Sequence, residues 1–203
     1  LPAENACTEV EGNVILIKGT IRETALFGCH LELKRTIRIP IFGSGVTVED
    51  QLCNRSHSPE EYTILYHCNY GYPLVSEQAL VELPKDRKTT PRTPFAATGL
   101  GREESFDPPV AGEEERVFFH EEMEKKAAIR NDQLHTCMTL TWSDTLPILA
   151  HWRSMASGDY VCGLEPTNAY IMGRKAEREN GTLPVIQPFE TIQTRIHIQF
   201  ETI

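Results

Sequence analysis

The chain has 203 residues and carries 20 Lys and Arg against 29 Asp and Glu, a net charge of −9. That length supplies one domain with a sizeable core, read as a single β-sandwich over residues 1–203. The acidic balance excludes a nucleic acid or an anionic membrane surface as partner, because both need a basic face, and no apolar run approaches the roughly 18 residues of a membrane span. Alternation of apolar and polar residues with many β-branched types dominates, so the main period is two. It predicts strands over 13–22, 29–39 and 46–54, with turns at Ala25-Leu26-Phe27-Gly28 and Gly43-Ser44-Gly45. Further strands are expected over 62–69, 78–83, 116–120, 135–142, 148–154, 159–165 and 190–200. Such a succession between Gly, Pro and Asn turns is the pattern of an all-β sandwich or barrel.

Some stretches break the pattern. Residues 84–112 hold Pro84, Pro91, Pro94, Pro108 and Pro109, and read as a long loop of the kind that is functional or disordered. Residues 121–130 favour a helix by composition, or a charged turn leading into a short strand. Residues 173–180 read as one or two helical turns stopped by Gly181. Glu113-Glu114-Glu115 reads as a solvated loop edge. The six cysteines show no CxxC pair and sit in apolar or alternating surroundings, which points to free thiols and a reduced, cytoplasmic protein.

Side chains alternate across a strand, so His67 and Asn69 project together at the end of Leu65-Tyr66-His67-Cys68-Asn69. By the same rule Val161, Gly163 and Glu165 share a face. Gly163 leaves space beside Glu165, and Pro166 holds Glu165 extended. A histidine and a carboxylate converging from two strands are what acid/base opening of a sugar ring needs. Taken alone, a satisfied structural histidine and a solvated strand end remain open alternatives. Further candidates for contacting a sugar are Asn69, His120, Trp152, Arg153, Asn168 and Arg174. Trp152 would stack on a ring or belong to the core. Arg153 and Arg174 would hold a carboxylate, phosphate or sulfonate of an acidic sugar, or form surface ion pairs. Asn168 would bind a hydroxyl or cap the following turn. His120 and Glu122 are the only local pair able to share a metal, which needs three or four ligands. No metal or other cofactor is expected.

In chain order, Leu1-Pro2-Ala3-Glu4, Phe27-Gly28, Arg35-Thr36-Ile37, the run from Leu65-Tyr66-His67-Cys68-Asn69 through Tyr70-Gly71-Tyr72-Pro73-Leu74, Gly158-Asp159-Tyr160-Val161-Cys162-Gly163-Leu164-Glu165-Pro166-Thr167-Asn168 and Gly181-Thr182-Leu183-Pro184 carry a resemblance. They resemble the bacterial DUF4432 family, within the aldose 1-epimerase (galactose mutarotase-like) superfamily. The resemblance implies a large antiparallel β-supersandwich with a carbohydrate-sized cleft on one sheet. It implies His67 as general acid and Glu165 as general base; a mutarotase then requires the two to face one cavity, separated by about the width of a sugar ring. It further implies an upstream segment before Pro2, ending in a Leu-His-Gly type motif and adding strands, a histidine and an arginine. The chain is therefore read as a C-terminal part lacking N-terminal strands, with exposed sheet edges that make a homo-oligomer an expected partner. The ligand expected is a monosaccharide or sugar acid. The leading reading is an aldose mutarotase or epimerase. A non-catalytic carbohydrate-binding module and a metal-assisted sugar isomerase are the alternatives.

Overall fold

The computed structural model describes Leu1–Ile203. Its strands are β1 (Glu4–Glu11), β2 (Val14–Thr24), β3 (His30–Pro40), β4 (Gly45–Asn54), β5 (Glu60–Glu61), β6 (Asn69–Gly71), β7 (Ala79–Glu82) and β8 (Lys88–Pro91). They continue with β9 (Arg116–Glu121), β10 (Lys126–Asn131), β11 (Thr136–Trp142), β12 (Ile148–Ala156), β13 (Asp159–Thr167), β14 (Val185–Ile186) and β15 (Thr191–Thr202). Two short helices, α1 (Pro94–Ala97) and α2 (Arg174–Asn180), complete the secondary structure with one 3-10 turn. Neither helix is long and apolar enough to cross a membrane.

Eight strands form one sheet in the order β1-β2-β3-β4-β15-β11-β10-β7, and five form a second in the order β6-β13-β12-β9-β8. All their pairings are antiparallel. The sheets pack face to face because alternate residues on each are apolar. Met138, Leu140 and Ile129 of the larger sheet meet Leu149, Met155, Cys162 and Leu164 of the smaller in one core. Burying each such side chain is worth about 1.5–3 kcal/mol. No residue of β1, β2 or β3 joins that core. Leu31 instead closes a smaller cluster with Leu52, Tyr62 and Ile186. All six cysteines are free.

The all-β antiparallel reading holds, with most strands near their expected bounds. Two expectations need correction. Residues 62–69 are not one strand: only Leu65 bridges to Thr167 before pairing resumes at β6. The cause is Pro166. Tyr66 N–H donates to Pro166 O at 3.0 Å, but proline has no N–H to return. The Tyr66 carbonyl instead accepts from Cys68 N–H at 3.0 Å, which folds a tight turn around His67.

Residues 84–112 are not a structureless loop. They hold β8, paired to β9, and α1, whose Thr93 cap accepts from Ala96 N–H at 3.0 Å. Phe106 enters the core, and Arg153 donates to the carbonyls of Arg102 and Ser105, so the segment covers the inner side of the smaller sheet. Residues 121–130 form a turn and the strand β10, the second of the two alternatives. Two features match closely: α2 occupies the expected helical turns, and Gly181 ends it with φ 70°. β1 lies outside the expected strands.

Under that covering segment lie His120 and His151, both fully buried, with His120 Nε2 3.3 Å from His151 Nδ1 and His120 Nδ1 2.9 Å from Thr89 Oγ1. Burial pushes His120 down to about 4 and His151 well below the usual imidazole value. An unfolded chain protonates both near pH 6.5, whereas the folded chain resists until lower pH, so acidification favours unfolding. Between pH 6.5 and 4, His120 alone is expected to remove about 3 kcal/mol of stability. Urea midpoints at pH 7.5 and 5 for the parent and for His120→Phe check this. The difference between the two pH values should shrink in the variant, and an unchanged difference would contradict it.

Candidate active site

The outward face of the smaller sheet carries the site. Strand register places Asn69 beside Gly163, Gly163 beside Trp152, and Trp152 beside Val117. The next row on the same face is Glu165, Ala150 and Phe119. His67 stands across from Glu165 on the continuation of the β6 pairing with β13, at the turn that Pro166 creates. Two segments about a hundred positions apart thus deliver an imidazole and a carboxylate to one spot.

His67 Nδ1 lies 2.8 Å from Asn69 Oδ1 and 3.1 Å from Glu165 Oε1. The His67 side chain is 55% exposed, while that of Glu165 is 3% exposed. The pair is therefore one exposed partner at the surface above one buried partner beneath it. Burial pushes the Glu165 carboxyl above the usual carboxylate range; His67 opposes that shift and Glu115 adds to it. Gly163 is what lets the carboxylate lie there: a Cβ at that position would stand 2.5 Å from Glu165 Oε1 and 3.3 Å from Asn69 Oδ1. The expected spacing of a sugar-ring width is not observed. The two groups touch, because the Tyr66–Cys68 turn tips His67 down over β13.

Trp152 borders this pair. Its ring meets His67 edge-on at 5.9 Å between centroids, and its Nε1–H donates to Glu115 Oε2 at 2.7 Å. Glu115 is an exposed loop residue, as expected, and borders the site through this bond. The floor beside Trp152 is apolar: Val117, Phe119, Ile148 and Ala150 are buried there, with Tyr170 edge-on to Phe119 at 5.0 Å. Farther along, Leu65, Thr167, Tyr170 and Arg174 help line a cleft of about 210 Å³.

His67, Glu165, Asn69 and Trp152 converge, as expected for one site. Three other candidates do not join them, and a fourth sits beneath the segment that carries His67. His120 and Arg153 point to the opposite face of the same sheet, because they alternate with Phe119 and Trp152. His120 is wholly buried against His151, and Arg153 is 4% exposed and bonded to backbone carbonyls. Glu122, on an exposed turn, cannot share a metal with it. Arg174 donates to Glu61 O at 3.0 Å and lies 3.6 Å from Glu61 Oε2, a carboxylate that Arg178 already holds through Nε and Nη2, so Arg174 borders the cleft without joining the pair. Asn168 is buried, and its Oδ1 accepts from Ile64 N–H at 2.7 Å, pinning the segment that leads to His67. It acts through the backbone.

A family model described as "Domain of unknown function (DUF4432)" matches residues 1–200. Among solved structures, a Klebsiella pneumoniae protein described provisionally as an aldose 1-epimerase aligns with TM-score 0.87 and 23% identity, over 95% of this chain and 52% of that one. A Synechocystis protein aligns with TM-score 0.73 and 15% identity, over 100% of this chain and 67% of that one. A galactose mutarotase-like protein from Clostridium acetobutylicum aligns with TM-score 0.69 and 14% identity, over 99% of this chain and 66% of that one. The chain thus spans about half the length of the Klebsiella protein. At these identities the likeness is one of fold. Comparison with curated proteins returns no match.

Proposed function

The chain belongs to the DUF4432 family, and from that premise we propose that it is a carbohydrate-active protein, an aldose mutarotase or epimerase. The observation that carries this reading is the buried Glu165 carboxylate beneath the exposed His67 imidazole, beside an indole, on a sheet face whose neighbours in structure include mutarotase-like proteins. Glu165 takes the proton from the anomeric hydroxyl, and the C1–O5 bond breaks as C1=O1 forms. Protonated His67 delivers its proton to O5. Rotation about C1–C2 and closure on the other carbonyl face give the opposite anomer, with both protons returned. Each positioned acid or base is worth about 10²–10⁴-fold.

Sugar entry must part the touching pair. The exposed His67 ring does so by rotating about its own side-chain bonds while its backbone stays anchored; Glu165 is buried beneath it. Arg153 is buried and engaged with backbone carbonyls, so it cannot hold an acidic sugar substituent; Arg174, at the cleft, is the cation left for one. The chemistry calls for no cofactor. Six free thiols support a reducing, cytoplasmic setting, and the core shared by both sheets supports a single domain over residues 1–203.

The 3.1 Å contact also favours a second reading, a carbohydrate-binding module whose pair stays closed and performs no chemistry. Anomer exchange measured on neutral and acidic aldoses separates them: accelerated exchange establishes the enzyme, and saturable binding without acceleration establishes the module.

A further inference from the structure

The turn that carries His67 is anchored from inside the sandwich. Tyr66 alternates with His67 and points the other way, between the sheets. There it reaches a row of cross-strand neighbours on the larger sheet, Arg35 on β3, Asp50 on β4 and Thr194 on β15. Tyr66 Oη–H donates to Asp50 Oδ2 at 2.6 Å, and Tyr66 Oη lies 2.5 Å from Thr194 Oγ1. Arg35 donates from Nε and Nη2 to Asp50 Oδ1 and Oδ2 at 2.8 and 2.6 Å, and its guanidinium lies 5.6 Å from the Tyr66 ring centroid.

The Asp50 side chain has no exposure at all. A carboxylate buried that deeply costs several kcal/mol unless its partners hold it, and an apolar row would often pack as well or better. What the charged row adds is geometric definition. It fixes the tyrosine hydroxyl, hence the Tyr66 backbone, at the point where Pro166 has broken the ladder and no strand hydrogen bond returns to Tyr66.

We infer that Arg35, Asp50, Thr194 and Tyr66 form a positioning clamp that sets the His67 imidazole against Glu165 and holds it in the Nδ1–H tautomer. The tautomer follows from the contacts. Nδ1 bonds Asn69 Oδ1 at 2.8 Å and lies 3.1 Å from Glu165 Oε1, an atom with no hydrogen-bond partner, so the neutral ring meets that amide oxygen with its proton on Nδ1. Nε2 is then left with its lone pair outward, where it binds the proton that protonated His67 later gives to a sugar ring oxygen. This last step rests on the proposed function; the clamp itself does not. None of the four is a catalytic residue. They act through the position of His67.

The test is nitrogen NMR of the His67 ring in protein labelled at histidine, with the signal assigned by His67→Gln. Tyr66→Phe keeps the ring and removes the hydroxyl, Thr194→Val removes one partner more gently, and thermal unfolding checks that each is folded. The parent should show the Nδ1–H tautomer alone. Both folded variants should show the two tautomers in exchange, with anomer exchange reduced at least about tenfold at nearly unchanged KM, the signature of a misplaced catalytic group. If Tyr66→Phe does not fold, Thr194→Val carries the reading. An unchanged His67 tautomer in the folded variants overturns the clamp, whatever happens to the rate. A shifted tautomer in a protein whose parent accelerates no sugar keeps the clamp and rejects the proposed function.

Discussion

Glu165→Gln is expected to reduce accelerated anomer exchange by about 10²–10⁴-fold and to leave the protein folded and no less stable at neutral pH. The amide keeps the volume of the carboxylate above Gly163 but cannot take a proton from an anomeric hydroxyl. The stability half follows from the direction of the pKa shift. Burial raises the folded Glu165 carboxyl above its ordinary value. A raised carboxyl contributes stability that is present below the unfolded pKa and is lost as pH rises through the folded one. At neutral pH the raised carboxyl therefore counts against the folded chain, relieved only in part by His67, and Gln removes that cost. Exchange rates and thermal midpoints at pH 7 check both halves. A variant with the parent's exchange rate would remove Glu165 from the chemistry. One that melts well below the parent would show that the carboxylate is a structural anchor.

Gly163→Ala is expected to cost about 10²-fold in exchange, the scale of a misplacement of about 1 Å in a catalytic group, with little change in fold. The argument is purely steric. The added Cβ would sit 2.5 Å from Glu165 Oε1, far inside contact distance, and 3.3 Å from Asn69 Oδ1. The clash falls on the flexible end of Glu165, on the oxygen that meets His67, so the carboxylate must turn from its place. Rates and a ring-nitrogen spectrum of His67 report the two consequences together. A variant with unaltered rate and spectrum would mean that Glu165 has another place to go. Glycine at this strand position is thus explained by the neighbour across the face rather than by backbone freedom.

Much of this was legible from alternation alone. β11 reads Thr136-Cys137-Met138-Thr139-Leu140-Thr141-Trp142, and its buried residues are the alternate Met138, Leu140 and Trp142. The pairing of His67 with Asn69, and of Gly163 with Glu165, also follows from a period of two, and the structure keeps both. Alternation fails where both faces of a strand are covered. On β9, Val117, Phe118, Phe119 and His120 are all buried, so no pattern tells which parity faces the site, and His120 belongs to the wrong one. Arg153 is misread for the same reason: β12 is buried along nearly its whole length.

Other features depend on partners far away in sequence. Glu115 gains its role from Trp152, thirty-seven positions later, and Asp50 gains its role from Arg35, Tyr66 and Thr194. The contact between His67 and Glu165 needs the missing N–H of Pro166 at a register that only the fold defines. Proline opposite Tyr66 is in the sequence; that it stands opposite is not.

The most direct test of the central claim is saturation-transfer NMR of anomer exchange on a panel of neutral and acidic aldoses, with Glu165→Gln as the control. The account predicts accelerated exchange on at least one aldose of the panel, abolished in the variant. Saturable sugar binding with no acceleration on any member of the panel would contradict it and make the site a binding face.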